Sequence, residues 1–509
     1  MSKKREDTME RPIRKCNNTI DDIELNGRET KFIFFGCWNN INCDSEYMYR
    51  DIVLDYIANN ETDVKQLYIA GDNWYTNTKI VKEKKLKLYI TEILRTGYDK
   101  LYGMGKDIYI AVGNHDIDSN ITVDKKHENT HNPTKASSPM SVSNAKSANS
   151  ANSSNSTSNP SSTSKETRDE LKKDCNINTQ KYYLKQIKKG SKAFEYPTLE
   201  LLQNIKDIEL SEATLCEQGI YIYVENIGVR YNKNSIFIII NTNKFDNFDE
   251  GLQYISDIEN VINEVNEVKE VIGSQTSESS KQIFVMGHIP LFTNKKNKLS
   301  IHEINKKDHK FRKITYMLFD ILTKHKIIYL CADTHNFSIM KITHNGKVLI
   351  QITAGTGGAD PDLIDDTIKI PITKKFIDEN EKDKEYDITA YSINSYGYAS
   401  INIGASNINV CYTQVIKAPH TEELRISAPL YTSVQKITYK IMKKYPYLSY
   451  KSTIQEISYS NYGTIYNTKD TKDDNGICKK IKDDPEGYVT GKEGKLFCYK
   501  KKIKKISNK

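Results

Sequence analysis

QLYIAGDNWY, residues 66–75, decides how this chain reads. An apolar run, LYIA, stops at Gly71 and gives way at once to Asp, Asn, Trp and Tyr. A short continuous apolar run rich in β-formers is what a strand buried on both faces looks like. The same construction recurs along the chain, in KFIFFGCWNN (31–40), DIYIAVGNHD (107–116), SIFIIINTN (235–243), KQIFVMGHIP (281–290) and KIIYLCADTHNF (326–337). Helix-like segments with apolar residues three and four apart lie between several of them, notably SEYMYRDIVLDYIANN (45–60), KLKLYITEILRTGYDKLY (85–102), FEYPTLELLQNIKDIELSEATLCEQ (194–218) and GLQYISDIENVINEVNEVKEVI (251–272). Alternation of strand and helix predicts an α/β layered fold, in which ligands collect beyond the carboxyl ends of the strands. The runs KVLIQITAGTGG (347–358), YGYASINIG (396–404) and INVCYTQVIK (408–417) are expected to complete a second sheet.

The rest of the chain is diluted. Its 509 residues suit one large domain with appendages, and a mean hydropathy of -0.63 with 28% charged residues indicates segments outside the core. Between about 119 and 170 the pattern is replaced by Ser, Asn, Thr and Lys, including SANSANSSNSTSNPSSTS, which predicts a disordered insertion in a surface loop. Residues 1–30 read as an N-terminal extension, 31–416 as the folded domain around that insertion, and 417–509 as a Tyr/Lys-rich C-terminal extension. The net charge of +8 gathers partly in the final KKKIKKISNK, which predicts a solvated tail or a weak contact with nucleic acid or an anionic surface. The charged N-terminus, MSKKREDTMERPIRKC, has no apolar signal region, and no stretch reaches the roughly 18 apolar residues of a membrane span, so a cytoplasmic location is expected. The nine cysteines show no disulfide or zinc-knuckle spacing and read as reduced thiols. Abundant Asn, Lys, Ile and Tyr fit an AT-rich genome; for a large DNA virus, a virion location would be the alternative.

The polar clusters at the strand ends supply Asp72, Asn114 and His115, His288, and Asp333 with His335. Carboxylate, amide oxygen and imidazole together suit Zn, Fe or Mn better than Ca. Two cations held roughly 3.5–4 Å apart need a bridging carboxylate between them, and Asp72 is the natural bridge.

The ordered series GDNWY, GNHD and GHIP, each after a buried-strand pattern, resembles the calcineurin-like metallophosphoesterase superfamily, and within it most closely the purple (tartrate-resistant type) acid phosphatases. FFGCWNN resembles that family's opening Gly-Asp-Trp-Gly, ADTHN its closing Gly-His-x-His, and ITAGTGG the Gly-rich strand end that follows. The resemblance implies a four-layer α-β-β-α sandwich with two mixed sheets and helices on the outer faces. It implies two divalent or mixed-valence ions (Fe, Zn or Mn), one held by Cys37, Asp72, Tyr75 and His335, the other by Asp72, Asn114, His288 and Asp333. His115 would contact the phosphate and assist the leaving oxygen. Asp116, next to it in sequence, is expected to orient that imidazole or to keep it protonated by its negative charge. The implied activity is hydrolysis of a phosphomonoester or phosphodiester by metal-activated water.

Two positions depart from the family: Cys37 replaces an aspartate and Asp333 a histidine. A thiolate ligates Zn or Fe at roughly 2.3 Å and disfavours ferric iron; alternatively Cys37 is a buried strand-end thiol that ligates nothing. The two departures also admit a catalytically impaired pseudophosphatase that binds a partner or serves as a structural protein. The basic tail admits a nucleic-acid phosphodiesterase.

Overall fold

The strands named above are apolar on both faces because each face meets a separate core. In β1 (Lys31–Phe35), Phe32 and Phe34 enter a core between two sheets, whereas Ile33 and Phe35 enter another beneath helices. The same division holds for Tyr68 and Ala70 against Leu67 and Ile69 in β2 (Gln66–Ala70), and for Tyr109 and Ala111 against Ile108 and Ile110 in β3 (Asp107–Ala111). In the other sheet, Phe237 and Ile239 of β6 (Ser235–Ile239) and Phe284 and Met286 of β7 (Gln282–Met286) face inward, and their neighbours face outward. A period-two strand between two apolar surfaces needs no polar alternation.

These observations come from a computed structural model, which describes residues 31–40, 49–75, 87, 90–117, 175–187, 194–198, 201, 210, 215, 219–232, 234–275, 281–293, 309–362, 368–377, 385–416, 433–442 and 448–455. The expected insertion at 119–170, the N-terminal extension and the lysine-rich tail lie outside the described residues.

The remaining strands are β4 (Ile220–Tyr223), β5 (Gly228–Tyr231), β8 (Ile328–Cys331), β9 (Phe337–His344), β10 (Lys347–Ala354), β11 (Ile368–Ile377), β12 (Glu385–Ile393), β13 (Tyr396–Ile403), β14 (Asn407–Ile416), β15 (Ser433–Met442) and β16 (Leu448–Gln455). They form two eight-stranded mixed sheets, ordered β16-β15-β14-β13-β1-β2-β3-β4 and β11-β12-β9-β10-β8-β7-β6-β5. β1 to β4 run parallel, as do β6, β7, β8 and β10, so the ligand-bearing ends of each sheet share one edge. Helices Tyr49–Asn60, Thr96–Gly103 and Cys175–Gln186 cover the first sheet; Phe248–Gln275 and His309–Lys324 cover the second. The result is helix, sheet, sheet, helix, the four-layer α/β sandwich that the resemblance implies.

Two expectations are corrected. β13 and β14 do not complete the second sheet: β13 pairs antiparallel with β1 and carries β14 to the outside of the first. Their inward residues Ala399, Ile401, Val410 and Tyr412 close the inter-sheet core there. The segment after Lys417, read above as a Tyr/Lys-rich extension outside the folded domain, supplies β15 and β16 to the same sheet. Of the helix expected over 194–218, residues 194–198 are non-helical and most of the rest lies outside the described residues. Within the helix expected over 85–102, a wider π-type turn, Ile90–Arg95, leads into the α-helix Thr96–Gly103.

The inter-sheet core is fixed by aromatic stacking. Phe237 stacks on Tyr68 with ring centroids 3.7 Å apart and on Phe284 at 5.1 Å, while Phe32 meets it edge-on at 4.8 Å. Replacing Phe237 by Ala is therefore expected to lower unfolding free energy by about 3–5 kcal/mol, and Phe237→Leu by less, as measured by denaturant titration.

Candidate metal centre

Five strands deliver their side chains to one place. Cys37, Asp72, His288 and Asp333 each stand two residues past the ends of β1, β2, β7 and β8, and Asn114 stands three past β3. Cys37, Asp72 and Asp333 have φ values of 47°, 53° and 52°, left-handed conformations that cost a side-chain-bearing residue about 1–2 kcal/mol each. Such strain on three strand ends persists because both flanks are pinned. Cys37 N–H donates to Gly71 O at 3.0 Å, and Ala359 N–H donates to Cys37 O at 2.8 Å. Gly71, at φ 83°, permits a close approach: a Cβ there would lie 2.6 Å from His288 Nδ1 and 2.7 Å from Gly113 N. A Cβ on Gly113 would collide with Asp72 Oδ1.

Asp72 is almost completely buried, and its two oxygens serve different neighbours. Oδ2 accepts from Tyr75 Oη at 2.9 Å and lies 3.7 Å from Cys37 Sγ; the Tyr75 hydroxyl is in turn 3.3 Å from His335 Nε2. Oδ1 lies 3.2 Å from His288 Nε2 and accepts the His115 backbone N–H at 3.2 Å. His288 Nε2 is also 3.1 Å from Asn114 Oδ1 and 3.7 Å from Asp333 Oδ1. The structure thus brings all seven expected ligands together around Asp72, with Cys37, Tyr75 and His335 on one side and Asn114, His288 and Asp333 on the other.

The imidazoles are presented as metal-binding histidines usually are. A carbonyl only accepts, so the contacts from His288 Nδ1 to Ala70 O (2.6 Å) and from His335 Nδ1 to Asp360 O (2.8 Å) place a proton on each Nδ1 and turn each Nε2 toward Asp72. Cys37 Sγ, an Asp72 oxygen and a His335 ring nitrogen lie within 4.8 Å of one another. These donors and their anchoring fit a transition-metal site. Cys37, Asp72, Tyr75 and His288 are buried, whereas Asn114, His115, Asp333 and His335 retain exposure and mark the open side.

Asp116 does not take the place expected of it. Its carboxylate accepts from Gly113 N (2.7 Å), Asn73 Nδ2 (2.8 Å), Asn73 N (2.9 Å) and Gln180 Nε2 (2.9 Å), and none of these donors is the His115 imidazole. Four N–H donors occupy the group, so it fixes the turns after β2 and β3 rather than orienting His115. Burial and the nearby Asp72 carboxylate push it up to about 6. His115 is held by its backbone, between Asp72 Oδ1 and the side-chain amide of Asn176 (3.0 Å), with its ring 4.6 Å from that of Tyr75.

Several supporting residues escape the sequence reading. Asp362 accepts the His335 backbone N–H at 2.9 Å, and Tyr396 donates to Asp360 at 3.0 Å, so the loop after the Gly-rich end of β10 positions His335. The signal was the ADPD run directly following TGG. Gln180 and Asn176 lie on a helix beyond the Ser/Asn-rich stretch, and only the fold relates them to the site. Asn73, inside GDNWY, links Trp38 Nε1 (3.0 Å) to Asp116.

No family model matches the chain, and no curated protein matches it. Among solved structures, the chain is similar to GAP50, described as the anchor in the inner membrane complex of Plasmodium, with a TM-score of 0.35 and 12% identity over 75% of this chain and 84% of that one. It is also similar to PhoD, with a TM-score of 0.38 and 8% identity over 89% of this chain and 76% of that one. At this level of likeness the fold rests on its own sheet order and cores.

Burial opposes ionisation at both Asp72 and His288, yet their mutual attraction outweighs it. His288, with His115 and His335, holds the Asp72 carboxyl well below the usual range; Asp72, with Asp333, raises His288 from 6.5 to about 9. A raised histidine contributes stability in full below its unfolded value and loses it as pH climbs through the folded one. The chelator-treated chain should therefore lose thermal stability between about pH 6.5 and 9, and His288→Gln should flatten that slope in a melting series.

Proposed function

We propose that this chain is a metal-dependent phosphoester hydrolase with a dinuclear centre. The observation that carries the reading is that the two oxygens of Asp72 face different donors: Oδ2 meets Tyr75 and Cys37, with His335 against the Tyr75 hydroxyl, and Oδ1 meets His288, whose Nε2 also faces Asn114 and Asp333. One position would be held by Cys37, Asp72, Tyr75 and His335, the other by Asp72, Asn114, His288 and Asp333. A bound metal pair supplies Lewis acidity, making water a nucleophile near neutral pH and offsetting the charge on a phosphate.

The protein's own part is positional. Asp72 is pre-ionised by its histidine neighbours, so a carboxylate stands ready between the two donor groups. The strained turns and glycine contacts hold the five strand ends against one another, which removes reorganisation from the reaction. His115 stands at the open side with its backbone fixed, and its ring Nδ1 has no hydrogen-bond partner. That imidazole would donate a proton to the departing oxygen of the ester. Asn73 and Gln180, through Asp116, keep the GDNWY and GNHD turns in register.

The substrate class is a phosphomonoester or phosphodiester. The pseudophosphatase reading draws its support from the two departures, Cys37 and Asp333. Both stay within the cluster and offer donor atoms, which favours hydrolysis. No helix among the described residues is long and apolar enough to cross a membrane.

Metal analysis of the purified chain with turnover of p-nitrophenyl and bis-p-nitrophenyl phosphate tests the proposal. Chelator-sensitive turnover with two ions per chain is expected; no turnover with at most one ion would favour the binding-protein reading. His115→Asn should lower kcat by about 10²–10⁴-fold on an alkyl phosphoester, whose leaving oxygen needs a proton. The same change should matter far less on a nitrophenyl ester, whose leaving group departs unprotonated.

A further inference from the structure

The two sides of Asp72 differ in chemical softness. On the Oδ2 side stand a sulfur, a phenol oxygen and an imidazole nitrogen. On the Oδ1 side, Asn114 and Asp333 add oxygens and only His288 adds a nitrogen. We propose that the two positions are sorted: Cys37 makes one a site for a thiophilic ion such as Zn²⁺ or Co²⁺, and Asp333 makes the other a site for an oxygen-preferring ion such as Mn²⁺. This rests on the dinuclear reading and goes beyond it in assigning unlike ions to the two places.

The described cysteines show why Cys37 is not incidental. Cys331 is equally buried, but it lies in the helix-covered core, its sulfur 3.3 Å from Thr353 Oγ1 and 3.7 Å from Ile352 O. Local partners satisfy it, and burial pushes its thiol up. Cys37 instead lies on the inter-sheet side, its left-handed backbone held from both flanks, with Sγ toward the Asp72 carboxylate. Gly355 packs beside the sulfur as well: a Cβ there would collide first with Thr334 O and would lie 3.3 Å from Sγ. Coordination replaces the S–H bond with a metal–sulfur bond, and the thiol proton passes to buffer. Asp333 is held in the same strained way and reaches His288 Nε2 at 3.7 Å, where the resembled family has an imidazole.

Zn²⁺ and Co²⁺ outrank Mn²⁺ in intrinsic affinity for most donor sets, so sorting shows in the order of filling rather than in exclusion. The metal-depleted full chain, given one equivalent of Co²⁺, should develop a near-ultraviolet thiolate-to-cobalt band. Mn²⁺ added next should bind at one equivalent, read as loss of the free-ion electron paramagnetic resonance signal, with the band unchanged. Cys37→Ser should abolish the band and keep Mn²⁺ binding, and Cys37→Asp should restore two bound ions without the band. Asp333→His should keep the band and lower the Co²⁺ concentration needed to release Mn²⁺ from the second position relative to the wild type. Two ions bound without a thiolate band in the wild type, or a band surviving in Cys37→Ser, would overturn the sorting while leaving a dinuclear centre intact. No bound ion at all would overturn the dinuclear reading itself.

Discussion

One carboxylate organises the site. Asp72 sits almost fully buried between two sheets, at a backbone angle that disfavours any side chain, and each of its oxygens faces a different group of donors. Burying a charge in that way is costly unless it is compensated. Here the compensation comes from His288, His115 and His335. Gly71 and Gly113 leave no room for a Cβ because the ends of β2 and β3 must close around this carboxylate and His288. The sheet order follows the same need: β1, β2 and β3 adjoin in one sheet and β7 and β8 in the other, so five carboxyl ends reach one edge.

Much of this was legible in the sequence because it is local. An apolar run ending in Gly and a polar cluster is a strand with a functional turn, and LYIAGD, IAVGNH and FVMGH each state that within six residues. The amphipathic segment GLQYISDIENVINEVNEVKEVI reads as a helix because its buried residues, among them Ile255, Ile258, Ile262 and Val265, recur at helical spacing. Pairing between distant strands is not local. β13 returns to β1 across the whole second sheet, a choice set by which apolar face needs covering, and the residues of YGYASINI do not announce it. β15 carries a strand signal of its own, Lys436, Thr438 and Lys440 alternating with the buried Ile437, Tyr439 and Ile441, but this run is short and stands in a long Tyr/Lys-rich stretch whose composition reads as an appendage.

The site showed the same limit. The residues that gather at the site and their order along the chain were readable, as was the central place of Asp72 among them. The role of Asp116 was not, since adjacency to His115 in sequence says nothing about where a carboxylate points on a one-turn helix. Its oxygens turn inward to the backbone of Gly113 and Asn73, where bare N–H groups at tight turns need acceptors. Asp360 and Asp362 escaped for the converse reason: their partner, His335, lies on the far side of a two-strand excursion. The two departures from the resembled family, Cys37 and Asp333, both face the cluster, so they change its donor chemistry rather than its architecture.

If one carboxylate joins two donor groups, removing it should empty both. The most direct measurement is the metal content of the intact chain by native mass spectrometry, wild type beside Asp72→Ala, with circular dichroism to confirm folding. The account predicts two ions in the wild type and loss of both in the folded variant. Two ions retained after removal of Asp72, or a wild type that never holds more than one, would contradict it.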